Sequence, residues 1–298
     1  MGHNNVLMDT FMNNTIKTPL LGAHISIARG FDKAVEHAQE MGCTAMQFFS
    51  KSNRQWHAKP LQENEIELFK ASLASSTIRS TIIHASYLIN IGSPDKQASY
   101  KAALALKEEI VRAQQLGVDH LVLHPGSHKA TNADESLKQI AHIINGIFNE
   151  IGDITTKLLI ETMAGQGSSV GRSFEQLAYL HSMIDHKERV GICLDTCHIF
   201  AAGYDISTQE GYERTKQAFK ELLGLDTLCA IHINDSKTAL GSNVDRHEHI
   251  GKGAIGIKAF ECIMNDQELA HIPKIVETPL DHPDDHARNI KILKELIV

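Results

Sequence analysis

A repeated alternation along the chain limits its fold more than any other feature. From residue 20 onward, short apolar runs at 20–26, 45–50, 80–85, 120–124, 157–161, 190–195, 230–234 and 274–277 alternate with longer segments of helical period. The runs hold four to seven residues and are rich in Ile, Leu and Val, as strands covered on both faces require. Between them, segments such as 30–41, 63–75, 100–116, 134–150 and 212–223 place apolar residues at helical spacing. Ala103, Leu106, Ile110 and Ala113 form one such stripe. Ser173 before Phe174 and Ser93-Pro94 ahead of the third helix read as helix starts; Gly42 and Gly117 read as ends. Eight strand-then-helix units without a linker predict an α/β fold, a single (β/α)8 TIM barrel, typically about 250 residues long. An open doubly wound sheet would carry a GxGxxG first turn, and the first turn here is Ala23-His24-Ile25-Ser26-Ile27-Ala28-Arg29-Gly30. The barrel is therefore expected over residues 19–298 as the catalytic domain, after a flexible tail at 1–18.

Composition adds two signals that pull apart. The 298 residues include 36 acidic and 29 basic side chains, for a formal net charge of −7. This acidic balance speaks against a nucleic-acid partner, which usually meets a basic footprint. The 18 histidines outnumber the 10 Phe, 1 Trp and 5 Tyr together, and neutral imidazole is the commonest metal ligand among side chains. Five cysteines (43, 193, 197, 229 and 262) form no CxxC pair, which suits a reducing cytoplasm rather than a disulfide framework. There is no basic stretch followed by an apolar leader and no run of 18 apolar residues. A cytoplasmic protein without a membrane partner is expected.

In such barrels the catalytic groups lie at the C-terminal ends of the strands. Six consecutive runs carry a ligand-type residue at or near their C-terminal end: His84, His124, Glu161, Asp195, His232 and Glu277. Strand side chains alternate, so Ile231 and Ile233 face the helices while His232 faces the barrel mouth. One such residue is ordinarily a hydrogen-bonded structural group. Six in one apolar-walled bowl would cost several kcal/mol per uncompensated ion, and divalent cations remove that cost. His198 lies just beyond the sixth strand, and Asp245 with His247 shares one side of an extended loop. A catalytic zinc takes three or four protein ligands, so these nine residues, with one carboxylate shared, suit about three zinc ions. The imidazole content favours Zn²⁺ over Mg²⁺ or Ca²⁺, and the same donors admit Mn²⁺ or Fe²⁺ at one site. Cys197, between Asp195 and His198, reads as a packed thiol rather than a ligand.

Longer strings surround these residues: Gly22-Ala23-His24, Asn53-Arg54-Gln55-Trp56, His84-Ala85-Ser86-Tyr87-Leu88-Ile89-Asn90, and His124-Pro125-Gly126-Ser127-His128. Then come Glu161-Thr162-Met163-Ala164-Gly165-Gln166-Gly167, Asp195-Thr196-Cys197-His198, Ala201-Ala202-Gly203-Tyr204-Asp205, His232-Ile233-Asn234-Asp235, Asp245-Arg246-His247 and Glu277-Thr278-Pro279. In these strings, from residue 20 to about 290, the chain resembles endonuclease IV, the metal-dependent apurinic/apyrimidinic endonucleases of DNA base-excision repair. Met163 stands where a smaller or polar residue is expected. The resemblance implies three zincs. His84, His124 and Glu161 would hold one. Glu161, Asp195, His232 and Glu277 would hold the second, with Glu161 bridging as the catalytic carboxylate. His198, Asp245 and His247 would hold the third.

It also implies hydrolysis of the phosphodiester 5′ to an abasic site, leaving a 3′-hydroxyl and a 5′-deoxyribose phosphate, together with removal of 3′-blocking groups. The implied partner is duplex DNA containing abasic sites, met by a monomer without a nucleotide cofactor. Arg54, Gln55 and Trp56 after the second strand, and Tyr87 after the third, would enter the minor groove and help flip the abasic nucleotide, which a missing base makes easier. Trp56 has an alternative reading as a loop anchor. His24, Asn234 and His128 are candidates for orienting ligands, and 165–171 is read as a barrel loop near DNA. Three Zn²⁺ would offset six of the seven net negative charges and set positive charge in the cleft. Two rivals remain: a sugar isomerase or epimerase on the same barrel with one or two divalent metals, and a non-enzymatic barrel that binds DNA or stores zinc.

Overall fold

The structure, a computed structural model, describes residues 18–129 and 132–298. The tail expected at 1–18 falls, except for Thr18, outside the described residues. Eight parallel strands close into a barrel: β1 (Leu21–His24), β2 (Ala45–Phe49), β3 (Ser80–His84), β4 (His120–Leu123), β5 (Lys157–Glu161), β6 (Val190–Asp195), β7 (Leu228–His232) and, after two short strands, β10 (Lys274–Val276). The order is sequential, and β10 closes on β1 through Leu21↔Lys274, Gly22↔Ile275 and Ala23↔Val276. The helices are α1 (Phe31–Glu40), α2 (Glu63–Ala74), α3 (Lys96–Leu116), α4 (Ala133–Ile151), α5 (Phe174–Ser182), α6 (Thr196–Ala202), α7 (Gln209–Leu222), α8 (Ile257–Asn265) and α9 (Asp285–Glu295). The expected (β/α)8 TIM barrel is the architecture found. Strands β8 (Asp235–Ser236) and β9 (His247–Glu248) form a small antiparallel ladder within the excursion that follows β7.

Pleat alternation divides the strand residues into two apolar sets. Ala45, Ile82, Val122, Leu159, Cys193, Ala230 and Ile275 fill the barrel interior. Outward neighbours such as Met46, Ile83, Leu123, Ile160, Ile231 and Val276 pack beneath the helices in the main core. Gly22 completes the interior ring: a Cβ there would lie 1.7 Å from the Ala45 carbonyl oxygen, so only glycine lets β1 and β2 approach. The β6–β7 pairing shifts register from Ile192↔Leu228 to Cys193↔Ala230, passing over Cys229.

Caps follow side-chain chemistry. Ser173 accepts from the Gln176 N–H at the start of α5, and Gly117 ends α3 with φ 72°. The start of α3 differs from the sequence expectation. Asp95, two residues after Ser93, is its cap and accepts from the Gln97 and Ala98 N–H groups, because a carboxylate there satisfies two otherwise unpaired donors. The five cysteines are free. No described helix is long and apolar enough to cross a membrane.

Candidate metal centre

Each barrel strand aims one polar side chain into the mouth, two residues beyond its inward small or apolar residue. The pairs are Gly22/His24, Ala45/Gln47, Ile82/His84, Val122/His124, Leu159/Glu161, Cys193/Asp195, Ala230/His232 and Ile275/Glu277. The apolar set forms a dry floor, and the polar set forms the bowl above it. Glu161 lies at its centre, fully buried. Its Oε2 is 3.2 Å from His84 Nε2 and 3.0 Å from His124 Nε2, and its Oε1 is 3.0 Å from His232 Nδ1.

The nine candidate ligands come together in three groups: His84–His124–Glu161, Glu161–Asp195–His232–Glu277 and His198–Asp245–His247. Within each group the potential donor atoms lie within 4.8 Å of one another. Asp195 caps α6 by accepting the His198 N–H at 2.8 Å, so one carboxylate both faces the bowl and starts the helix that delivers His198. Asp245 and His247 arrive on the β8–β9 excursion. Asp235 shapes it by accepting from the Ser236, Gly253 and Ile255 N–H groups at 2.7–3.0 Å. Gln166 Oε1 accepts the Asp245 N–H at 3.0 Å. The 165–171 loop thus supports this third group, and it also pairs with the loop after β4 through Val170 N–H to the Gly126 carbonyl at 3.0 Å. Gly165, at φ +82°, leaves room for Asn243, whose Oδ1 would sit 2.6 Å from a Cβ.

Ring orientation is the feature that fits a metal. His84 Nδ1 lies 2.7 Å from the Ala85 carbonyl, His198 Nδ1 2.8 Å from that of Thr162, and His247 Nδ1 3.1 Å from that of Glu277. A carbonyl only accepts, so each Nδ1 carries a proton and Nε2 is the nitrogen turned to the bowl. His232 is turned the other way: its Nε2 is 2.8 Å from Gln47 Oε1 and its Nδ1 faces Glu161 and Glu277. The Nε2 atoms of His198 and His247 are buried without a hydrogen-bond partner. Asp245 Oδ2 is nevertheless 3.1 Å from the first, and Asp195 Oδ2 3.5 Å from the second. Each of these nitrogens thus has a carboxylate oxygen close beside it.

Electrostatics agree with the geometry. Burial opposes charge on His198 and His232, yet Asp195 and Asp245 around the first raise its pKa well above the usual 6.5. Cys193, Glu277 and Glu161 do the same for the second. Burial also opposes ionisation of Glu161, but His124 and His232 hold its carboxyl well below the usual range. Asp245 is drawn down to about 2 against the effect of its burial, chiefly by His198. Without cations the bowl keeps protons between carboxylates and imidazoles, and divalent cations would displace them. The donor set fits such ions. Cys197 also lies near Asp195 and His247, but burial, with Asp195 adding to it, pushes its thiol up to about 12, a poor source of thiolate. A separate group, His249–Asp281–Asp285, is compromised because Asp285 already accepts from the His282 N–H at 2.6 Å and pairs with Arg288.

The residues expected to orient ligands sit in three different settings. Asn234 is buried, donates to Asp195 Oδ2 at 2.8 Å and accepts the Glu277 N–H at 2.7 Å. His24 Nδ1 lies 3.4 Å from Glu277 Oε1. His128 belongs to the loop pairing, its N–H donating to the Ser168 carbonyl at 3.0 Å. Gln47 is the polar group that sequence reasoning missed. The signal was available in the inward Ala45, outward Met46, inward Gln47 alternation.

At the rim, Arg54 and Gln55 are exposed, while Trp56 is half-buried against the core. Its carbonyl accepts from Lys51 Nζ at 3.2 Å, and Lys101 Nζ lies 4.2 Å from its ring centre. Buried charges fasten this loop to α3. Lys51 pairs with Glu108 and Glu109, and Arg112 reaches the Ser50 and Lys59 carbonyls at 2.6 and 3.0 Å. Ser86 Oγ donates to the Asn53 carbonyl at 2.7 Å, tying the β3 loop to the β2 loop. Tyr87 is exposed over the bowl, its ring 5.1 Å from that of His84 and 5.2 Å from that of His124.

The chain is similar to known proteins over nearly its whole length. Residues 35–296 match the family described as Xylose isomerase-like TIM barrel. A probable endonuclease 4 of Geobacter sp. (strain M21) is 40% identical over 279 residues, 93% of this chain and 99% of the relative. One from Campylobacter concisus is 47% identical over 87% of this chain and 92% of its own length. The crystal structure of endonuclease IV from Thermus thermophilus superposes with a TM-score of 0.83 at 34% identity, covering 93% of this chain and 98% of the other. On sequence, fold and domain length together, the chain belongs to the Xylose isomerase-like TIM barrel family and, within it, to the endonuclease IV enzymes.

Proposed function

We propose that this chain is a zinc-dependent apurinic/apyrimidinic endonuclease of DNA base-excision repair. It would act as a cytoplasmic monomer, with residues 19–298 as its catalytic domain, and cut the phosphodiester 5′ to an abasic site. The products would be a 3′-hydroxyl and a 5′-deoxyribose phosphate, and 3′-blocking groups would leave by the same hydrolysis. The observation that carries the reading is the set of imidazoles whose outer nitrogens are fixed by oxygen acceptors while their inner nitrogens face carboxylates. His84, His124 and Glu161 would hold one cation, Glu161, Asp195, His232 and Glu277 a second, and His198, Asp245 and His247 a third. Cations bound there supply Lewis acidity toward phosphate oxygens and acidify water near neutral pH.

The chain's own groups do the rest. Glu161, shared by two groups, would serve as a ligand in both and keeps negative charge at the base of the bowl. The apolar floor excludes water from below. Arg54, Gln55 and Tyr87 project from the rim toward the duplex, and Trp56 anchors the loop that carries two of them. A sugar isomerase or epimerase needs one or two cations and leaves the His198–Asp245–His247 group without a task.

Elemental analysis of the purified chain, with incubation of duplex DNA containing one abasic analogue, tests the proposal. About three zincs per chain and incision 5′ to the lesion are expected. A single Mn²⁺ without incision refutes it, and filled zinc sites without incision favour the storage or binding barrel.

A further inference from the structure

Gln47 places a neutral side chain in the bowl against the side chains of two members of the same ligand group, His232 and Glu277. It lies between Ala45 and Phe49 on the inward side of β2 and is fully buried. Its Oε1 lies 2.8 Å from His232 Nε2, and its Nε2 lies 2.6 Å from Glu277 Oε1 and 3.0 Å from His24 Nδ1. Chemistry fixes which way the amide points. Reversing it would set the carbonyl oxygen against the Glu277 carboxylate and the NH₂ against the nitrogen it now accepts from.

We infer that Gln47 is a positioning residue that sets the tautomer of His232 and the free oxygen of Glu277 for the Glu161–Asp195–His232–Glu277 group. Because Oε1 accepts at Nε2, a proton stays on Nε2, and Nδ1 is the nitrogen turned to Glu161 Oε1 and Glu277 Oε2, each 3.0 Å away, where a cation would displace its proton. The other three imidazoles with a fixed outer nitrogen rely on main-chain carbonyls. His232 alone relies on a replaceable side chain and presents Nδ1. The same amide engages Glu277 Oε1, leaving Oε2 for the group. One residue thus orients two ligands, and it does so from β2, a strand that supplies no ligand of its own. Groups of this kind typically alter metal affinity about 10–100-fold when removed.

The inference rests on the proposed metal reading, and the test separates the two. Zinc-loaded wild-type protein with ¹⁵N-labelled histidine is expected to show His232 protonated on Nε2 and bound through Nδ1. The opposite assignment overturns the inference without any variant. Two substitutions then dissect the amide. Gln47→Met keeps the length and removes both contacts; Gln47→Glu keeps an acceptor for His232 and replaces the donor to Glu277 with a like charge. In a chelator titration followed by elemental analysis, both are expected to release one zinc equivalent at about 10–100-fold lower chelator than wild type. Only Gln47→Met is expected to lose the His232 tautomer signature, which mere packing would not change. Wild-type zinc retention in both variants, or an unchanged tautomer in Gln47→Met, refutes the positioning role while leaving the metal reading intact. A wild-type chain that takes up no zinc refutes the metal reading and this inference with it.

Discussion

Replacing Asn234 with alanine cuts two bonds to the four-residue group at once. The side chain is buried, donating to Asp195 Oδ2 at 2.8 Å and accepting the Glu277 N–H at 2.7 Å. Its backbone is held separately, because Thr196 Oγ1 accepts the Asn234 N–H at 2.8 Å and donates to its carbonyl at 2.6 Å. The main chain should therefore stay in place, and the loss can be assigned to the side chain. One buried N–H left without an acceptor costs about 1–3 kcal/mol. For a chain of this size each kcal/mol lowers Tm by about 2–4 °C, so the cation-free variant should melt roughly 5 °C lower. The second loss falls on the cation. A ligand carboxylate deprived of its donor weakens binding about 10–100-fold, or about 1.4–2.7 kcal/mol. Calorimetry of chelated and zinc-loaded protein reads the first effect, and competition with a chromogenic chelator reads the second. A variant that matches wild type in both would refute the claim that Asn234 couples Asp195 to Glu277.

Glu161→Gln should lower incision of abasic duplex about a thousand-fold or more while duplex binding persists in a gel-shift assay; near wild-type cutting would refute the bridging role. Arg54→Ala should leave the zinc count unchanged and make the logarithmic salt dependence of DNA binding shallower by about one, and loss of zinc would contradict a DNA-facing side chain. Lys274 supplies a pH test far from the bowl. It is buried, donates to the Leu269 and Ile272 carbonyls at 2.7 and 3.0 Å, and burial pulls its pKa down to about 8 from 10.5. The unfolded chain then binds more protons between those values, so folding stability attributable to Lys274 rises from pH 8 to 10.5 and is lowest below 8. The stability difference between wild type and Lys274→Met should change by about 3 kcal/mol across that window, measured by denaturant unfolding; a flat difference would refute the buried-charge account.

The sequence reading succeeded where periodicity carried the information. Apolar runs with His84, His124, Glu161, Asp195, His232 and Glu277 at or near their C-terminal ends revealed both the strands and the inward side of those residues, because pleat alternation links the two. His198, Asp245 and His247 depended on the loops around them, and the resemblance was needed to group them. The structure supplies the local reasons, with Asp195 capping α6 and Asp235 folding the excursion. Gln47 escaped notice because an amide lacks the ligand character that drew attention to the other six strand ends, although its alternation was the same. The α3 cap at Asp95 was misplaced by two residues, since Ser93 and Asp95 are both good caps and only the helix start decides between them. The charge network that fastens the Trp56 loop to α3 joins residues about 50 positions apart, and no local pattern announces such a pairing.

The extra residue in β7 has a consequence for parity. From Leu228, which packs outward, strict alternation would turn Ile231 into the bowl and His232 toward the helices. The step over Cys229 adds one to the count, so Ala230 and His232 both face inward. Gly191 makes room for it, since a Cβ there would meet Cys229 Sγ at 2.7 Å. An alignment gap opposite Cys229 in some other chain would therefore leave the imidazole facing its partners. A gap opposite Ile231 would reverse it. In this strand, whether a ligand faces the bowl is decided by an odd or even residue count at the middle of the strand, well below the imidazole itself.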